Sequence, residues 1–135
     1  MELNVTYQGG VQFAAEARGH VVVTDQPADN GGANAGMTPP ELMLASLGTC
    51  AAHYAVEFLK ARSLSAEGLL VRVTAEKKLQ PARLTDFRIG VEAPSMKEPR
   101  HFEGMLRSVK RCLVHNTLLH SPDVEVAVGE AVTMG

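Results

Sequence analysis

The sequence is short of nearly everything that marks a specialised class of protein. It has no tryptophan and an aromatic share of only 4%. Thirteen Lys and Arg stand against fifteen Asp and Glu, for a formal net charge of −2. A chain that neutralises many phosphates is ordinarily basic, which argues against nucleic acid as a partner. Cysteine occurs only as Cys50 and Cys112, too few for the disulfide lattice of a small secreted domain or for a four-cysteine zinc site. The amino terminus, MELNVTYQ, lacks the basic start and apolar stretch of a signal peptide. The uncharged stretch Leu42 to Val56 falls short of a bilayer span of about 20 residues, and it contains His53. A cytoplasmic protein with no membrane partner is expected. At 135 residues, the chain fits one domain, 1-135, with one hydrophobic core.

What is present reads as alternating strands and helices. Leu3, Val5 and Tyr7 alternate with polar neighbours, the two-residue period of a half-buried strand. Gly9-Gly10 offers a turn, Val11, Phe13 and Ala15 resume the alternation, and Arg18-Gly19 turns the chain into the valine-rich run His20 to Thr24. This predicts a three-stranded meander. From Asp25 to Met37 the composition shifts to Pro, Asn, Gly and Ala, a loop long enough to point to a functional role or a disordered tip.

Thr38-Pro39-Pro40-Glu41 then combines a capping residue, proline at the first helical position and the glutamate of a capping box. The helix it opens carries no charge until Glu57, which predicts burial nearly all round. Val71, Val73 and Ala75, then Phe87, Ile89, Val91 and Ala93, alternate with polar residues about a turn at Gln80-Pro81, as in an antiparallel hairpin. Phe102, Met105, Leu106, Val109, Cys112 and Leu113 recur at helical spacing, so Cys112 is placed on the buried stripe of an amphipathic helix. Val124, Val126 and Val128 predict a closing strand. The order suggests an α+β fold with helices on one side of an antiparallel sheet. A helix buried on every side needs more cover than one sheet, so a second copy is expected, in an intertwined homodimer.

The two cysteines admit two readings. Each can be a small buried hydrophobe, or the two can form a thiol pair in which one attacks a peroxide and the other converts the sulfenic acid to a disulfide. On a helix of about 100° per residue, His53 and Tyr54 fall on the same side as Cys50, whereas Glu41 points away. His53 could lower the Cys50 pKa or serve as a structural residue, and His115 follows Cys112 at the same spacing. The two Cys-x-x-His units make a Cys2His2 zinc site the rival, although finger sites usually pair Cys with Cys and His with His. Arg18 is either a solvated turn residue or a guanidinium that stabilises a thiolate.

The run MTPPELMLASLGTCAAHYAVEFLKAR resembles the central helix of the OsmC/Ohr family, RCLVHNTLLHSPDVEV is similar to its Cys-Pro-Val-His-Asn-Thr-Leu segment, and ARGHVVVTDQP resembles its early hairpin. The resemblance implies an OsmC-like intertwined homodimer in which antiparallel sheets enclose two long central helices. It also implies a cofactor-free thiol peroxidase for organic hydroperoxides. By that resemblance Cys50 is the peroxidatic cysteine, Cys112 the resolving one, and Arg18 and Glu41 complete the site. The disulfide would be reset by an external dithiol such as a lipoylated protein. Pro40 stands where the hydroperoxide-resistance branch has its arginine-pairing glutamate, and Leu113 replaces the proline that often follows the second cysteine. Non-catalytic binding of a small molecule or electrophile is the alternative.

Overall fold

The computed structural model describes residues 1–129 and begins with a three-stranded antiparallel sheet in the order β1 (Asn4–Gly9), β2 (Gln12–Ala17), β3 (His20–Thr24). Tyr7 pairs with Phe13 across β1 and β2, their ring centroids 5.7 Å apart. The predicted turns form because the residues there accept left-handed backbone: Gly9 and Gly10, then Arg18 at φ 53° and Gly19 at φ 82°. A glycine does so at no steric cost, whereas Arg18 sacrifices about 1 kcal/mol. The sheet makes little contact with the rest of the chain. Val5, Tyr7, Phe13 and Val21 to Val23 remain exposed.

The Asp25 to Met37 segment is an ordered loop folded around one carboxylate. Asp25 is buried, and it accepts hydrogen bonds from the N–H groups of Gln26 (2.8 Å), Ala35 (2.9 Å) and Ala33 (3.1 Å) and from the Gln12 side chain (3.1 Å). A side chain at Gly32 would strike the Gln26 carbonyl, and one at Gly36 the Val23 carbonyl. The glycine-rich composition thus permits close backbone approach.

The capping box forms as predicted and opens α1 (Pro39–Ala61). Glu41 N–H donates to Thr38 Oγ1 (3.3 Å), and Glu41 Oε1 accepts from the Thr38 N–H (2.9 Å) and hydroxyl (2.8 Å). At 23 residues α1 outruns its uncharged segment and, with a mean hydropathy of 1.3 over its apolar window, is long and apolar enough to cross a bilayer. Here its stripe of Leu47, Ala51, Ala55, Phe58 and Leu59 builds the core instead. That stripe rests on the hairpin of β4 (Leu70–Lys78) and β5 (Arg83–Glu92), where Val71, Ile89 and Val91 pack against the core. Small side chains let the layers close, and a Cβ at Gly48 would lie 3.0 Å from Val73. The predicted burial on all sides does not occur within one chain: Met43, Ser46, Thr49 and His53 face outward. The hairpin and α2 cover only one side of the helix.

Two further expectations are corrected. The second predicted helix is two helices, α2 (Pro99–Val109) and α3 (Leu113–Leu119), separated at Lys110 to Cys112. The N–H groups of Arg111 and Cys112 reach back to Ser108 and Val109 (3.1 Å each), a tightened final turn that frees Cys112 to take extended backbone. The described residues therefore hold one long α-helix and two short ones. The predicted closing strand is not formed among the described residues, where Val124, Val126 and Val128 pair with no strand and stand exposed.

Candidate active site

Cys50 lies on α1, half-buried, where the helix passes the start of α3. Cys112 is completely buried and caps α3, its sulfur accepting from the His115 N–H at 3.5 Å. The break between α2 and α3 is what turns the Cys112 thiol to face Cys50. Both are free thiols.

Their environments differ in sign. Burial alone would push the Cys50 thiol up, but the hydrogen bond from the Cys112 thiol and the N–H groups of Val114 and Leu113 together outweigh it and leave Cys50 below the ordinary thiol value. Cys112 is pushed up, first by burial and then by its role as donor to Cys50, against a smaller opposing contribution from the His115 N–H. Of the two, Cys50 is the more readily ionised. The backbone donors belong to the first turn of α3, where N–H groups have no partner within the helix. This contribution was missed in the sequence because a continuous helix through Cys112 would have used those N–H groups internally. Leu113 was the available signal, since it supplies an N–H where proline would not.

The other predicted site residues stand apart from this pair within the chain. Arg18 is exposed at the tip of the first sheet and is not among the groups that shift Cys50. Glu41 lies nine residues before Cys50, about 13 Å along the helix axis. Its carboxyl is held below the usual range first by the Thr38 N–H and then by the Thr38 hydroxyl. His53 points to solvent, with its Nε2 3.4 Å from Glu57. His115 lies beside the pair through its backbone, and its ring Nδ1 is buried without a hydrogen-bond partner among the described residues. Among those residues no three His, Cys, Asp or Glu side chains are grouped to hold a metal ion.

An apolar groove of about 560 Å³ runs alongside, between α1, the β4–β5 hairpin and the α2–α3 segment. Leu47, three residues before Cys50, and His115, three after Cys112, both line it, together with Met43, Phe87, Ile89 and Leu118.

Similar architectures recur in solved structures. A protein of Psychrobacter arcticus 273-4 assigned to the osmotic stress and detoxification response is 21% identical, with a TM-score of 0.76 over 85% of each chain. An OsmC like protein from Mycoplasma pneumoniae is 21% identical, with a TM-score of 0.71 over 90% of this chain and 89% of the other. An organic hydroperoxide resistance protein from Elizabethkingia anophelis is 16% identical, with a TM-score of 0.64 over 90% of each. No curated protein sequence matches significantly. These likenesses establish the fold, and the sequence pattern of the OsmC-like proteins extends over residues 31–127, through α1, the hairpin and both thiols: the chain belongs to the OsmC-like protein family.

Proposed function

We propose that this protein is a thiol-dependent peroxidase acting on organic hydroperoxides, with Cys50 as the attacking and Cys112 as the resolving residue. The observation that carries this reading is the meeting of two free thiols where α1 packs on the start of α3, and their opposite shifts agree with it. Ionised Cys50 attacks the terminal oxygen of ROOH; the O–O bond breaks, RO⁻ leaves and takes up a proton, and Cys50 becomes a sulfenic acid. Cys112 then attacks the sulfenic sulfur, forming the disulfide and releasing water. A dithiol, such as a lipoyl group, reduces the disulfide by exchange. Hydroperoxide resistance in the Elizabethkingia relative is consistent with this chemistry. The neighbouring groove suits the hydrocarbon part of an organic hydroperoxide better than it suits hydrogen peroxide.

The active form in this reading is an intertwined cytoplasmic homodimer. Its support is the apolar surface left on one chain: the strands of the first sheet, Phe102, Leu106, Leu113 and Leu119 on the short helices, and the Val124 to Val128 segment. A second copy covering these surfaces would also give Arg18 a route to the thiols of its partner, where a guanidinium stabilises a thiolate. Glu41 acts by fixing the start of the cysteine-bearing helix.

The test is turnover of cumene hydroperoxide with dithiothreitol. Wild type turns over, Cys50→Ser is inactive, and Cys112→Ser stalls or over-oxidises. Equal activity in Cys50→Ser ends the assignment. Stoichiometric thiol loss without recycling favours a binding protein that uses the same groove. A monomer by light scattering at micromolar concentration removes the dimer and with it the role of Arg18.

A further inference from the structure

A second cleft, of about 370 Å³, lies between α1 and α2 and is lined by Arg62, Arg107 and Arg111. Two of these guanidiniums are held by α1 side chains. Arg62 stacks 3.8 Å above the Phe58 ring and donates from Nη1 to the Phe58 carbonyl at 3.3 Å, while Arg111 sits 5.7 Å from the centre of the Tyr54 ring. The close contact on Phe58 restrains the Arg62 guanidinium and leaves further N–H donors free, while Arg111 makes a longer cation–π contact. Gly104 forms the α2 wall, and a Cβ there would come within 3.7 Å of Arg62 Nη2. Among the described residues none of the three arginines has a carboxylate partner within ion-pair distance.

The one acidic residue lining the cleft is Glu57, whose carboxylate lies 3.4 Å from His53. The Ser108 hydroxyl donates its hydrogen to the Tyr54 carbonyl at 3.0 Å and so is committed to the helix pair. Three guanidiniums against one carboxylate leave two positive charges uncompensated, in a chain whose net charge is −2. Two negative charges spread over several oxygens are what a phosphate monoester dianion offers, and paired N–H donors match such oxygens bidentately.

We propose that the α1–α2 cleft is an anion site for a phosphate monoester or inorganic phosphate, held by Arg62, Arg107 and Arg111. Neither sulfur lines it, although Arg111 directly precedes Cys112, and binding there is read without peroxidase activity. The test is calorimetric titration of the full chain at low ionic strength with inorganic phosphate and, separately, with phenyl phosphate. One saturable site per chain is expected. Arg107→Gln and Arg111→Gln, both at exposed positions, each weaken it about tenfold or more, as loss of a charged hydrogen-bond donor implies. Arg62→Lys, which keeps the charge but loses the stacked fork, weakens it as well. Arg88→Gln on β5 leaves binding unchanged. Tighter binding of phenyl phosphate identifies an organic monoester as the ligand, whereas equal binding identifies free phosphate, and both support the site. Absence of saturable binding by either probe overturns the proposal. So does binding that survives both glutamine substitutions, or that Arg88→Gln weakens equally.

Discussion

Cys50 on α1 and Cys112 at the start of α3 influence each other in opposite directions: hydrogen bonding between them lowers the Cys50 thiol and raises the Cys112 thiol, while burial raises both. Burial is the largest single influence on Cys50, and removing Cys112 takes away the largest contribution that opposes it. Cys112→Ala therefore shifts the pH midpoint of Cys50 alkylation by iodoacetamide upward, while Cys112→Ser, which keeps a hydroxyl donor, shifts it less. In wild type, Cys50 alkylates before Cys112 at every pH below the ordinary thiol value. A lower midpoint in the alanine variant would contradict this account.

The N–H of Leu113 offers a more selective probe. Leu113 occupies the first position of α3, where proline fits helical geometry, and its side chain is largely exposed. Leu113→Pro should leave the melting temperature nearly unchanged while deleting one of the donors to Cys50. The alkylation midpoint then rises and hydroperoxide turnover slows at neutral pH, with recovery at alkaline pH. A loss of rate that alkaline pH does not restore would mean that α3 has moved.

Asp25 links the loop to pH. Its carboxyl is held below the usual range first by the Ala35 N–H and then by Gln26, with burial opposing and Ala33 and Gln12 assisting. A group with a depressed folded pKa contributes stability above its unfolded value, and that contribution disappears as pH falls through the folded value. Exchange protection at the Ala33 and Ala35 amides should therefore be full at neutral pH and decline on acidification below the ordinary aspartate range. Asp25→Asn should lack this acid-dependent step, with weaker protection already present at pH 7. Identical acid profiles in both proteins would sever the link.

Gly104 tests the packing of α2 on α1. A methyl group there would meet Phe58 Cε2 at 2.5 Å and Cζ at 3.0 Å, and Phe58 is buried in the core. Gly104→Ala should cost about 1 to 3 kcal/mol through overpacking, measured by urea denaturation. A neutral or stabilising result would show that the Phe58 ring yields freely.

Local rules were legible wherever the cause lay within a few residues. The capping box at Thr38 and Glu41, the turn at Arg18-Gly19 and the strands of both antiparallel sheets follow from short-range sterics and hydrogen bonding and appear where their residues stand, whereas the half-burial expected of the first strand does not form, β1 being exposed along its length. The helix through Cys112 did not survive because its apolar spacing continues past Val109, although the backbone does not. Periodicity reports which residues seek burial; it does not report that a buried sulfur can replace a helical carbonyl as acceptor for the His115 N–H. Asp25 was overlooked for a related reason. Its partners at Ala33 and Ala35 are brought to it by the path of the loop, with no periodic pattern to announce them.

The sequence by itself determined the first five strands and the long helix, the two candidate thiols and the family motifs around them, since these depend on residue identity and short-range order. Only the tertiary structure decided that the sulfurs face each other, that the first turn of α3 points its free N–H groups at Cys50, and that Arg18 and Glu41 lie away from both thiols within one chain. The balance between burial and hydrogen bonding at a thiol depends on atoms far apart in sequence, so it exists only once the chain has brought them together.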